Sequence, residues 1–217
     1  MSEARLRDEL CRVGRSLHAR GYVHGTTGNL SVRLHDGFLI TATDACLGDL
    51  DPGALVRVDA AGRVGAGGGQ PSKTLALHRR IYGASRGAGC VIHTHSTHCV
   101  ALTLSDPFGD LLPPITPYFV MKVGHVPVVP YHRPGAPEAA EAVAELIGRY
   151  AARGTPLRAV MLTRLGPNVW HDTPIQAMAV LEELEETAKL WHLSAPPPQP
   201  LSADALQELR TAFGARW

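Results

Sequence analysis

The sequence predicts an α/β domain in which one layer of sheet lies between helices. Three observations lead there. Segments with apolar residues spaced by three and four alternate with short apolar runs of strand length. Their order is helix, strands, helix, strand, helix, strand, helix, strand, helix. The chain of 217 residues, 45% of them apolar, is long enough for one full core and need not hold two.

In chain order, Leu6, Leu10, Val13 and Leu17 form the apolar stripe of a helix over residues 3–20, with Gly21 as its stop. The Gly/Thr-rich stretch Val23–Gly28 suits either a loop that binds an anion through its amides or, more commonly, a hairpin turn. Leu30, Val32 and Leu34 alternate as a strand, Asp36-Gly37 marks a hairpin, and residues 38–43 return. Residues 55–59 and 62–64 suggest a further strand pair, and Gly67-Gly68-Gly69 a flexible break. Ser72 or Thr74 is placed to cap the helix that begins at Leu75. Two hydroxyls and Lys73 at a helix start form either a second anion site or a plain cap beside a solvated lysine.

Residues 112–118 are a proline-punctuated approach to Phe119-Val120-Met121, and residues 126–131 a short strand limited by prolines. Residues 137–153 read as a helix, 159–162 as a buried strand, and Gly166-Pro167-Asn168 as a turn. Asp172-Thr173-Pro174 starts a last long helix with a stripe of Ile175, Met178, Leu181, Leu184, Ala188 and Trp191. Glu182, Glu183, Glu185 and Glu186 read as its solvated face. Residues 195–200 form a stiff polyproline linker to a short helix, 203–213, that is expected to pack on a neighbouring subunit. The expected division is a domain over 1–193 followed by this tail.

The chemistry centres on Val91-Ile92-His93-Thr94-His95. Residues two apart on a strand share a face, so His93 and His95 present paired imidazoles at or just past a strand end, the usual start of a divalent-metal site. In a chain with 11 His the pairing also arises by chance. A net charge of +1 points to neither nucleic acid nor a membrane surface. No apolar run of 18 residues occurs, and MSEARLRDEL does not read as a signal peptide. The scattered Cys11, Cys46, Cys90 and Cys99 read as reduced thiols, so the expected location is cytoplasmic.

Together these pieces resemble the class II aldolase/adducin family over about residues 4–193. The resemblance rests on Gly28 and Asn29 in TTGNLS, Thr43 in ITATD, PSK at 71–73, HTHSTH at 93–98, Tyr118, GPNVW and EELEETAKL. The stretches RVGRSLHARGY, TDACLGDLDP, HTHSTHCVAL and PPITPYFVMKVGHVPVVPYHRPG are most similar to its 3-oxo-tetronate 4-phosphate decarboxylase branch. The resemblance implies a three-layer, single-domain fold with a mostly antiparallel sheet. It also implies a divalent metal, Zn²⁺, on His93 and His95, and a phosphate held by Gly28, Asn29, Thr43 and Ser72 with Lys73 beside them. Tyr118 is the implied proton donor to a neighbouring subunit's site in a homotetramer.

Two departures from the family pattern stand out. The family's usual Glu after PS(K/S) is Thr74 here, and its third metal histidine falls on Leu165 in Thr163-Arg164-Leu165-Gly166. His98, His125, His132 and His171 remain as alternatives for the third ligand. An aldolase needs a base to move a proton. Loss of CO₂ from a 3-oxo acid does not, because it yields the enediolate directly, and a metal or cation stabilises the oxyanion. Thr74 also removes a repulsion between carboxylates of roughly 1–4 kcal/mol at about 4 Å, while Lys73 and Arg164 add attraction. The expected catalytic set is therefore Tyr118, Lys73, Thr74 and Arg164, acting on a small anionic substrate. The alternatives are a diverged, non-catalytic binding protein, a sugar-phosphate aldolase, or an enzyme of another acid. An Arg164 that points into the pocket favours a new substrate class, and one that points to solvent favours lost activity.

Overall fold

The computed structural model describes residues 2–65, 69–105 and 109–217. Most of the expected glycine break, Gly67 and Gly68, lies outside the described residues. Helix α1 (Glu3–Ala19) is capped by the Ser2 hydroxyl, which accepts from the Arg5 amide. It ends where the Tyr22 and Gly21 amides donate to the carbonyls of Leu17 and His18. This closure places Gly21 at φ +77°, a conformation that glycine adopts without cost.

Strands β1 (Asn29–Leu34) and β2 (Gly37–Ile40) form the expected hairpin, and β3 (Val56–Asp59) continues the sheet. After α2 (Leu75–Ala84) come β4 (Cys90–His93) and α3 (Thr97–Leu102). Then follow β5 (Val128–Val129), α4 (Pro137–Ala152), β6 (Ala159–Leu162), β7 (Gly166–His171), α5 (Pro174–Leu193) and α6 (Ala203–Phe213). Among the described residues seven strands lie in the order β3-β2-β1-β4-β7-β6-β5, and of their pairings only β5–β6 is parallel. One face of the sheet packs Leu30 and Ile92 against Leu10 and Leu17 of α1 and Leu181 and Leu184 of α5. The other packs Val91 and Trp170 against Ile81 of α2 and Val143 of α4. Central strand β4 is thus covered on both faces, which is why its sequence is an unbroken apolar run and does not alternate.

Several local expectations are corrected. The Val23–Gly28 stretch is the link from α1 into β1, not a hairpin turn, because β1 finds its partner only at Gly37. Residues 62–64 contribute one isolated bridge, Val58 to Val64, instead of a strand. β2 stops at Ile40, and the chain beyond pairs with the PSK segment: Ala42 bridges Pro71, and the Ser72 amide donates to Thr41 O. The buried side of α5 is Ala177, Val180, Leu181, Leu184 and Ala188, while Ile175 is exposed. Gly166-Pro167-Asn168 begins β7, and Thr163–Leu165 make the turn before it.

The tail does not reach outward. The Leu201 amide donates to Pro114 O, Leu209 packs on Val120, and Trp217 meets Phe119 at 5.7 Å between ring centroids. All lie against the wide turn Phe119–Val123 of the same chain, which closes through the Gly124 amide on Phe119 O. No helix among the described residues is long and apolar enough to cross a membrane.

Candidate active site

β4 ends at His93 between β1 and β7, and its register sets the site. Asn29 pairs with His93 on one side and Asn168 pairs with His93 on the other. Paired residues of antiparallel neighbours point to the same face, so the three side chains form a row. His95 follows, its ring 5.1 Å from that of His93 and edge-on to it. The expected pairing of imidazoles is therefore present. His93 is fully buried and its Nδ1 lies 3.0 Å from Pro167 O. An Nδ1–H donated to that carbonyl leaves Nε2 with its lone pair free, the arrangement that orients a metal-binding imidazole. Burial, with repulsion from His95, pushes the His93 pKa down to about 3. Burial, then His24, lowers that of His95. Both rings are neutral at neutral pH, as ligation requires.

The two loops seen in the sequence converge beside this row. Gly28 has φ +82°, and a Cβ there would sit 2.7 Å from Val23 Cγ1 and 2.9 Å from His93 O. Only glycine brings the loop so close to the strand end. Thr74 stands at the N-cap of α2, yet its hydroxyl makes no cap bond. It donates to Asn29 Oδ1 at 2.9 Å and lies 3.1 Å from Ser72 Oγ. The Thr43 amide donates to Gln70 O, which draws that residue to the same rim. Gly28, Asn29, Ser72 and Thr74 are thus connected to the histidine row, and Thr43 adjoins the PSK segment beside them. Lys73 is exposed and pairs with Asp44 at 3.7 Å.

The remaining candidates fall elsewhere. Tyr118 is 61% exposed at the start of the Phe119–Val123 turn. Arg164 is exposed, and its guanidinium donates to Leu104 O, so it does not turn into the cavity beside Leu165. Of the alternative third ligands, His98 is held by Glu185, His125 by Asp110, and the Nδ1 of His171 accepts from the Asp172 amide. Among the described residues no group of three His, Cys, Asp or Glu is placed to hold a metal. The described residues thus offer two neighbouring imidazoles, those of His93 and His95, as candidate ligands.

Three features escaped sequence reasoning. Glu185, read as solvated, is buried and accepts from the amides of His98 and Cys99 at 2.9 and 3.0 Å. It caps α3, the helix that follows the histidine pair, where a carboxylate is favoured. Asn168 is fully buried beside His93, with neither amide atom hydrogen-bonded among the described residues. Its role depends on strand register, which the GPNVW string does not reveal. Ser31, His78 and Tyr82 form a buried triplet on the same face, with the Ser31 hydroxyl 2.7 Å from both His78 Nδ1 and the Tyr82 hydroxyl.

A family model described as Class II Aldolase and Adducin N-terminal domain matches residues 8–192, and the chain belongs to that family. It is 52% identical over 223 aligned residues to a 3-oxo-tetronate 4-phosphate decarboxylase of Cupriavidus necator, covering 100% of this chain and 99% of the relative. It is 39% identical to the decarboxylase of the same name from Escherichia coli K12, covering 96% and 97%. Among solved structures, YgbL of Klebsiella pneumoniae superposes with a TM-score of 0.88 at 39% identity, covering 97% of this chain and 100% of that one. The L-fuculose-1-phosphate aldolase of Thermus thermophilus superposes with a TM-score of 0.74 at 29% identity, covering 86% and 92%.

Proposed function

We propose that this chain is a carbon–carbon lyase that decarboxylates a phosphorylated 3-oxo sugar acid of the 3-oxo-tetronate 4-phosphate type. The observation that carries the reading is the replacement of the family's carboxylate base by Thr74, whose hydroxyl is spent on Asn29, in a site that otherwise keeps its histidine pair and both loops. Full-length similarity to the decarboxylases supports it.

The reaction runs without an initial proton abstraction. The C1–C2 bond breaks, its electron pair passes into the C2–C3 enediolate, CO₂ leaves, and C2 takes up a proton to give a hydroxyketone phosphate. His93 and His95 would hold a divalent cation, Zn²⁺ in our reading, which when bound would supply positive charge to stabilise an oxyanion. Gly28, Asn29, Thr43 and Ser72 bind the phosphate through hydroxyl, amide and backbone donors, and Lys73 adds a cation at the rim. Thr74 holds Asn29 in place. The exposed Tyr118 delivers the proton to C2 across a subunit boundary, which requires a homo-oligomer, a tetramer by family resemblance. A small-molecule enzyme of this kind works in the cytoplasm.

A CO₂-release screen over phosphorylated and unphosphorylated 3-oxo acids, with and without Zn²⁺, Mn²⁺ and Mg²⁺, tests the reaction. Release from phosphorylated 3-oxo acids is expected. Cleavage of sugar phosphates with no CO₂ from any 3-oxo acid would count decisively against it. Metal analysis of chelator-free protein tests the cation: His93→Ala should lose the bound metal, and equal content in both proteins removes the assignment. The outward guanidinium of Arg164 is the one observation that favours a non-catalytic relative, and the same screen decides between the two.

A further inference from the structure

The two family departures, Thr74 and Leu165, are 91 residues apart in sequence but line one narrow cavity. Leu77, Leu162 and Ala136 complete its buried lining, and the HRPG turn closes it. That turn presses on the PSK loop: Gly135 has φ +78°, and a Cβ there would lie 3.3 Å from Lys73 O. Lys73 and Arg133 are exposed at the mouth and the half-buried His132 also lines the cavity, whereas Leu77 and Leu162 are buried inside and Leu165 is half-buried beside them. Neither His93 nor His95 lines the cavity, but each of its walls connects to their row at one remove. Thr74 bonds Asn29, the register partner of His93. Leu165 precedes Gly166, where an added Cβ would collide with Thr94 O and come within 3.2 Å of His95 Cα.

We infer that this cavity takes the carboxyl group that leaves, with Leu165 as the residue that favours its departure. The inference rests on the decarboxylase reading and deepens it. A carboxylate set against Leu165 and Leu162 loses hydration, whereas the CO₂ it becomes is neutral and apolar. An apolar wall therefore disfavours the bound acid relative to the transition state, in which the charge has moved toward the enediolate, and only such a differential effect raises kcat. A histidine at 165 would instead offer the carboxylate a hydrogen bond and hold it. Lys73 and Arg133 at the mouth draw the anionic substrate in while remaining in water. Loss of the family's Glu and His is then one change, from a cavity for a polar group to one for CO₂.

The test compares Leu165→Asn and Leu165→Met with the wild type in CO₂ release. It also measures the affinity of each protein for the uncleavable 3-hydroxy analogue, a tetronate 4-phosphate. Leu165→Asn should lower kcat about tenfold or more while the analogue binds as tightly or more tightly, and Leu165→Met should stay within about twofold. Unchanged kcat in Leu165→Asn overturns the inference, and so does analogue binding that weakens in step with kcat. A wild-type protein that releases no CO₂ is a different result, which removes the decarboxylase reading and this inference with it.

Discussion

Thr74 is a residue whose hydroxyl has been diverted from capping a helix to bonding Asn29, and its replacement by Glu reverses the chemistry proposed for the site. A carboxylate there faces the substrate carboxylate at a cost of roughly 1–4 kcal/mol for charges about 4 Å apart. Because CO₂ carries no charge, the repulsion acts on the bound acid. Thr74→Glu should therefore raise KM for the 3-oxo acid about fivefold or more and leave binding of the hydroxyketone phosphate product nearly unchanged. Steady-state kinetics and product inhibition measure both. His78 makes a second prediction at this scale. Burial, aided by repulsion from His93, pushes its pKa down to about 3, against an ordinary value of 6.5. The unfolded chain thus takes up the proton more readily, so stability is full above pH about 6.5 and falls as the pH drops toward 3. At pH 5 the loss is about 2 kcal/mol for this one group. His78→Gln should flatten the acid limb of a denaturant-melt series by that amount, whatever it does to stability at pH 7. Neither effect was legible in the sequence. A threonine before a helix reads as a cap, and LHRRIY reads as an amphipathic turn, until β1 brings Asn29 and Ser31 beneath them.

At the scale of elements, legibility followed local pattern. The stop at Gly21, the β1–β2 hairpin and the HxH strand were readable because cap, turn and alternation are short-range signals. Thr41–Thr43 and the Ile175 end of the α5 stripe were misjudged because partners distant in sequence decide them: the PSK segment claims the first, and β7, β4, α3 and the Phe119–Val123 turn crowd round α5 and bury Ala177 and Val180 as well. Glu185 shows the same limit, since its role as cap of α3 depends on residues 86 and 87 positions away. Glu185→Gln retains an acceptor but loses charge at the helix start, and should cost about 1 kcal/mol. Glu185→Leu strands the two amides and should cost more, about 2–3 kcal/mol. The β6–β7 turn is stricter. Gly166 has φ +142°, and its neighbour across the turn is the Thr94 carbonyl between the two histidines. Gly166→Ala should lower the unfolding midpoint by the equivalent of about 3 kcal/mol or more. If the histidine pair holds a cation, that cation should be lost with it, because relieving the strain moves the segment that carries both imidazoles.

At the scale of the whole molecule, the tail and the exposed tyrosine belong to one device. The segment Phe119–Val123 sits between α5 and α6, with Phe119 fully buried and Tyr118 projecting from its first turn. Trp217 covers Phe119 and stacks on His125 at 4.3 Å, and His125 in turn meets Asp110 at 2.6 Å. The polyproline stretch is tied in by the Leu201 amide on Pro114 O. Read from the sequence as an appendage, the tail packs on the segment of its own chain that presents Tyr118. Its helical stripe gave no sign of which surface it meets, since an amphipathic face states that something apolar lies opposite and not what. Trp217→Ala removes a half-buried aromatic and should cost about 1–2 kcal/mol. If Tyr118 delivers the proton after CO₂ has left, loosening its base should slow protonation without touching carboxylate binding. Trp217→Ala and a chain ending at Ser194 should therefore lose kcat with KM little changed, and Tyr118→Phe should lose it without loss of stability. A truncated chain with wild-type kcat would show that the tail serves the fold alone and that Tyr118 needs no support from it.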